Sequence, residues 1–183
     1  MWQALGQIAR ALNDSGVLWC VGASLLLHQV GLAENPHDID LLVALPDAEK
    51  ATDILGGMGE VLPCGGSTTY STEFFRRFRV DGCDVDLMAG FRLNHASGSY
   101  EYPLGSASVA FRREVEGIPV PFAALEDWYV VYHLIPGKEH KALRIEEYFR
   151  HCGIEHPRLL ERALEGCLPN SVRQRINALL GKL

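Results

Sequence analysis

The feature that most constrains this chain is the run Asp38-Ile39-Asp40-Leu41-Leu42-Val43-Ala44-Leu45. Its apolar stretch reads as a central strand. Side chains alternate along a strand, so Asp38 and Asp40 point to one face while Ile39, Leu41 and Val43 point to the other. After Asp40 the strand is apolar on both faces, because Leu42 and Ala44 continue the aspartate side. Two acids therefore sit at the leading end of a strand that is otherwise buried. Ionised carboxylates so close repel each other, and a cation that joins them relieves the repulsion. A hard dication with oxygen ligands, Mg²⁺ or Mn²⁺, suits such a pair. The plain alternative is two solvated acids at a strand edge, since an Asp-x-Asp triplet by itself is a weak signal.

The context upstream sharpens the signal. Val17 to Val21 reads as a buried strand, Gly22-Ala23-Ser24 breaks it, and Leu25 to Val30 forms a short apolar helix closed by Gly31. A polar loop, Ala33 to His37, leads into Asp38. Gly22 permits close backbone approach to a ligand. Ser24 and the free amides at the helix start can meet phosphate oxygens. A plain turn at Gly22 and an N-cap at Ser24 would account for the same residues.

The rest of the chain follows in order. Trp2, Leu5, Ile8, Ala9 and Leu12 recur at helical spacing, and Asn13-Asp14-Ser15-Gly16 ends that helix. Pro46-Asp47 starts another, with Ala48, Ala51, Ile54 and Leu55 on its apolar face. Phe74 to Val80 and Cys83 to Met88 read as two strands of a hairpin turning at Asp81-Gly82. Val115 to Phe122, with two prolines at alternate positions, reads as an edge strand. From Leu125 the text is helical: to about Ile135, from Lys138 to about His151, from Arg158 to Gly166 and from Asn170 to Leu180. The expected class is α/β, or α+β: a sheet core over residues 1–125 and a helical extension over 126–183 packed on it.

Composition narrows the partners. The 183 residues are 48% hydrophobic, enough for one core. A net charge of -6 argues against a non-specific polyanion binder. No apolar run reaches the roughly 18 residues of a membrane span, and the first residues lack the pattern of a signal peptide. Five cysteines without a CxxC pair fit reduced thiols and a cytoplasmic location, with Cys20 and Cys83 in the core.

The segment Val21-Gly22-Ala23-Ser24 followed by Asp38-Ile39-Asp40-Leu41-Leu42 resembles the signature of the nucleotidyltransferase-fold superfamily. Small bacterial nucleotidyltransferases, aminoglycoside nucleotidyltransferases and abortive-infection toxins of the same fold belong to it. The resemblance covers roughly residues 15 to 150. It implies a mixed sheet flanked by helices and a third acid on a neighbouring strand. Asp84 and Asp86 share the outward face of the strand from Cys83. Asp86, between Val85 and Leu87, fits that third position, and Asp84 is the fallback. The resemblance thus implies Asp38, Asp40 and Asp86 as catalytic and metal-binding residues, with Gly22 and Ser24 at the nucleotide. It also implies phosphate contacts from the helix after the core. Lys138, Lys141 and Arg144 share a face there, and Lys138 and Lys141 are the candidates, although a solvated helix face gives the same pattern. Arg76, Arg77 and Arg79 make a second basic group beside the hairpin.

The implied reaction moves a nucleoside monophosphate from a nucleoside triphosphate to an acceptor hydroxyl, with release of pyrophosphate. The acceptor could be a small molecule, a tRNA end or a protein side chain. The alternative is a non-catalytic binding module of the same fold, for example one half of a toxin–antitoxin pair with a protein partner. A haloacid dehalogenase-type phosphatase is disfavoured because its acids follow the apolar strand. A glycosyltransferase is disfavoured because only 37 residues precede Asp38. The histidines do not assemble: His28 reads as a core residue, and His151, Cys152 and His156 lack a second paired ligand set.

Overall fold

The computed structural model describes residues 1–33 and 35–181. Glu34 of the polar loop lies outside them, as do Lys182 and Leu183. Among the described residues, seven strands form one mixed sheet. In chain order the elements are helix α1 (Trp2–Ser15), strand β1 (Trp19–Val21), helix α2 (Ala23–Gln29), strand β2 (Asp38–Val43), helix α3 (Ala48–Gly56), and strands β3 (Glu60–Leu62), β4 (Phe74–Val80) and β5 (Cys83–Ala89). A small hairpin, β6 (Arg92–His95) and β7 (Gly98–Glu101), precedes strands β8 (Val109–Val115) and β9 (Ile118–Ala123). Helices α4 (Leu125–Leu134), α5 (Glu139–Cys152), α6 (Pro157–Glu165) and α7 (Asn170–Leu180) complete the chain. The sheet order is β3-β4-β5-β2-β1-β9-β8. This is the mixed α/β architecture expected, with helices on both faces.

The two sheet faces have different jobs. Ile39, Leu41, Phe78, Val85 and Leu87 are fully buried on one face, where α1 and α3 pack. Their alternation with Asp38, Asp40, Asp84 and Asp86 sends the acids to the other face. Helix α1 presents Ala4, Leu5, Ile8, Ala9 and Leu12 to the core, and Gly16 at φ +73 ends it in the left-handed conformation that glycine favours. Cys20 and Cys83 are buried free thiols in the hydrophobic core.

Helix α4 is buried on nearly every side, with only His133 among its ten residues partly exposed. The helix packs against α2, α5 and α6, and its buried acids are satisfied, Glu126 by the backbone amides of Glu155 and His156 and Asp127 by Arg162. Its Trp128, Tyr129 and Tyr132 join one continuous hydrophobic cluster with the sheet.

The structure corrects one strand and adds others. Val115 to Phe122 is not a single edge strand. It turns at Glu116-Gly117, where φ is +51 and +73, into an antiparallel hairpin of β8 and β9. Its prolines lie on β9, an inner strand, and β8 is the edge. Pro119 and Pro121 are tolerated because β9 meets β1 only at Val21↔Phe122, so neither proline has to donate to that neighbour. Strands β3, β6, β7 and β8 were not anticipated; three of them are three or four residues long, too short for periodicity to register.

Candidate active site

Parallel pairing of β2 with β5 sets Asp38 opposite Asp84 and Asp40 opposite Asp86. Neighbouring strands lie about 4.8 Å apart and register partners share a face. Four carboxylates therefore form a two-by-two patch on one side of the sheet. The hairpin turn fixes the register of β5 against β4, and with it the face on which Asp84 and Asp86 lie. Asp81 at φ +48 and Gly82 at φ +73 make the left-handed pair that a two-residue hairpin requires. A slip of one residue would turn Asp84 and Asp86 into the core.

The patch opens into a cavity of about 770 Å³. Asp38, Asp40 and Asp86 line it, with Ala23, Ser24, Lys138 and Lys141 and a set of aromatic side chains. The Ser24 hydroxyl donates to Asp38 Oδ1 at 3.4 Å. Lys141 is half-buried, and its ammonium lies 5.1 Å from the centre of the Tyr132 ring. Lys138 is exposed at the N-cap of α5. Arg144, expected on the same helix face, turns aside and donates to the Leu32 carbonyl at 3.4 Å.

Asp86 is already partnered. Arg77, opposite it on β4, donates from Nε to Asp86 Oδ1 at 3.1 Å. Arg79 does the same for Asp84 through two nitrogens at 2.9 and 2.8 Å. Arg76 is exposed, and its guanidinium lies 4.5 Å from the centre of the Phe74 ring. Among the described residues, no three His, Cys, Asp or Glu side chains stand together in a ready-made metal cluster. Asp38 and Asp40 fit a hard dication by donor chemistry as they stand, and Asp86 fits once it leaves Arg77.

The electrostatics reflect this crowding. Burial first, then the charges of Asp38 and Asp86, push the Asp40 carboxyl up to about 8, and Lys141 opposes the shift. Burial raises Asp86 too, against the hydrogen bond and charge of Arg77. Burial and then Lys138 pull Lys141 down, while Asp40 and Asp38 hold it up. A cation at the acids would relieve the repulsion that Asp40 feels.

Gly22 sits directly beside Asp40, its N–H donating to the Asp40 carbonyl at 3.0 Å. It does not line the cavity. A Cβ there would lie 2.2 Å from a Trp128 ring carbon, so the absent side chain makes room for the indole of α4. Ala23, which does line the cavity, holds φ at +48 in a region an alanine rarely adopts. Sequence reasoning missed Trp128, Tyr132, Tyr70 and Phe91. They come from three separate segments, and each alone reads as an ordinary core or loop aromatic. Arg77 was seen as a basic group, but its partner was not.

This arrangement, a mixed sheet with paired acids on β2 and a third on the parallel neighbour β5, is the nucleotidyltransferase fold. Comparison with solved structures gives the same result. A Thermotoga maritima protein reported as a nucleotidyltransferase candidate superposes with a TM-score of 0.59 at 24% identity, over 81% of this chain and 92% of that one. The antibiotic-resistance factor ANT(2″)-Ia, solved in complex with adenylyl-2″-tobramycin, superposes with a TM-score of 0.56 at 11% identity, over 95% and 97% of the two chains. The lincosamide antibiotic adenylyltransferase LnuA, solved with lincomycin, gives 0.51 at 10% identity, over 79% and 95%. No family model matches the sequence, and no curated protein matches it. Among the described residues, no helix is long and apolar enough to cross a membrane.

Proposed function

We propose that this chain is a metal-dependent nucleotidyltransferase, moving a nucleoside monophosphate from a nucleoside triphosphate to an acceptor hydroxyl. The observation that carries the reading is the register Asp40↔Asp86, which sets three acids on one wall of a cavity also lined by Ser24, Lys138 and Lys141. Asp38 and Asp40, joined by Asp86, would hold Mg²⁺ or Mn²⁺, which when bound neutralises triphosphate charge and makes the α-phosphorus more electrophilic. Lys138 and Lys141 neutralise the charge of the β- and γ-phosphates, and Ser24 helps to orient them by hydrogen bonding. The acceptor oxygen bonds to the α-phosphorus as the bond to pyrophosphate breaks, and in this reading the hydroxyl proton passes to Asp86 or to solvent. The protein works by placement and charge rather than through a covalent intermediate.

Incubation with each labelled nucleoside triphosphate and Mg²⁺ should release pyrophosphate in the presence of an acceptor. Asp40→Asn should lower that release by at least about a hundredfold while the fold persists. Undiminished Mg²⁺–nucleotide affinity in the variant would remove Asp40 from the site.

One observation favours a second reading, a binding module that has kept the fold without activity. Arg77 occupies Asp86, the third acid. Nucleotide binding without pyrophosphate release under any acceptor, in a cell extract included, would select that reading.

A further inference from the structure

The cavity is larger than the acids need, and much of its wall is aromatic. Tyr70 stacks on Phe91 with centroids 6.0 Å apart and planes 24° off parallel. Phe91 stacks on Trp128 at 6.3 Å and 28°, and Trp128 meets Tyr132 at 5.2 Å. The four rings form a row along the cavity, and Phe75 and Met88, register partners on β4 and β5, extend it past Asp86. Tyr70 is the exposed end, at 40% accessibility.

The direction of the reaction divides this wall. In a phosphoryl displacement the attacking and leaving oxygens stand roughly in line, on opposite sides of phosphorus. Ser24 follows β1, on one side of β2, and β5 and β4 lie on the other. If pyrophosphate leaves toward Ser24 and the lysines, the acceptor approaches over β5 and β4. Phe75, Met88, Phe91, Tyr70 and Thr72 line that side.

Charge on that side is cancelled. Of its acids, Asp84 is bound by Arg79 and Arg77, and Asp86 is bound by Arg77 and would be taken up by the metal when one binds. Recognition of several ammonium groups needs a matching set of unpaired carboxylates, and the described residues lining this side offer none. What it offers is flat apolar surface and the Thr72 hydroxyl.

We infer that the acceptor is an uncharged hydroxyl compound with an apolar or aromatic ring, seated against Phe75, Met88, Phe91 and Tyr70, and not a polycation. The inference rests on the transferase reading above and specifies its acceptor. The bond formed joins the acceptor oxygen to the α-phosphorus, the bond broken releases pyrophosphate, and the proton passes to Asp86 or solvent.

The test uses the full chain saturated with Mg²⁺ and α,β-methylene-ATP. A panel of uncharged phenyl and steroid glycosides is titrated against tobramycin, read by tryptophan fluorescence and calorimetry. Uncharged ring compounds should bind the nucleotide-loaded protein, with affinity insensitive to added salt, and tobramycin should bind more weakly. Phe75→Ala should weaken the ring compounds about tenfold and leave the affinity for the nucleotide analogue unchanged. Tyr70→Ala, on an exposed loop outside the sheet, should do the same and guards against misfolding of the strand variant. Tighter binding of tobramycin, no binding by any member of the panel, or competition between the ring compounds and the nucleotide would each overturn the inference. Failure of the nucleotide analogue to bind would instead overturn the transferase reading, and this inference with it.

Discussion

Asp40 is a residue whose ionised form the fold disfavours when no cation is bound. Burial and two neighbouring acids raise its carboxyl from the ordinary 3.8 to about 8. Between those values the folded protein holds a proton that the unfolded chain has released. Stability therefore falls as pH rises through that window, and the loss is complete above about 8. Asp40→Asn stays neutral at every pH. In chelator, its melting temperature should be higher than that of the natural protein at pH 8 and above, and its pH slope through this window flatter. Thermal unfolding measured across pH checks this, and identical slopes for the two proteins would show that Asp40 is not strained. Asp40 was legible as a candidate because alternation places it on the same strand face as Asp38. Gly22 was legible as a break in a strand, but its contact with Trp128, 106 residues away in the chain, was not.

At the scale of elements, the β4–β5 hairpin matters most, because it carries Asp86 to Asp40 and Arg77 to Asp86. Its register depends on a turn with two left-handed residues. Asp81 tolerates φ +48 as aspartate can, and Gly82 at φ +73 has no side chain to strain. Nothing lies within 4 Å of a Cβ placed on Gly82, so a substitution there tests backbone conformation alone. Gly82→Ala should cost about 1 kcal/mol in urea unfolding, and Asp81→Asn close to nothing. An alanine variant as stable as the natural protein would mean the turn does not hold the register. The hairpin was readable because Asp-Gly between alternating strands is a local signal. The β8–β9 hairpin was misread because its turn, Glu116-Gly117, has no such strong signature, and prolines suggested an edge.

Across the whole molecule, one buried ion pair joins two of the last helices and, through a hydrogen bond, reaches the turn before β8. Asp127 on α4 is 1% exposed and receives Arg162 of α6 at 3.0 Å. The same guanidinium donates to Ser108, in the turn before β8, at 3.1 Å. Burial raises Asp127, and Arg162 opposes that rise. Arg162→Ala leaves a buried acid unpaired, which should lower unfolding free energy by roughly 3 kcal/mol or more. Arg162→Lys should recover only part, since its shorter side chain has to bring an ammonium to the place where one guanidinium nitrogen, Nη2, makes the contacts to both Asp127 and Ser108. Chemical denaturation of the two variants decides this, and a loss of under about 0.5 kcal/mol for alanine would show the pair to be dispensable.

The sequence by itself determined the local facts: which segments alternate, which are amphipathic, where Asp-Gly turns the chain, and that Asp38 and Asp40 share a face. These depend on contacts within a few residues, and periodicity records them. Tertiary structure alone decided the partners. Strand order makes β5 the parallel neighbour of β2 and so pairs Asp86 with Asp40. Antiparallel β4 brings Arg77 onto Asp86. The burial of α4 sets Trp128 over Gly22 and builds the aromatic wall. The physical reason is that these contacts join segments far apart in the chain. Their choice depends on how the helices and strands bury their apolar faces together, which no single stretch of sequence encodes.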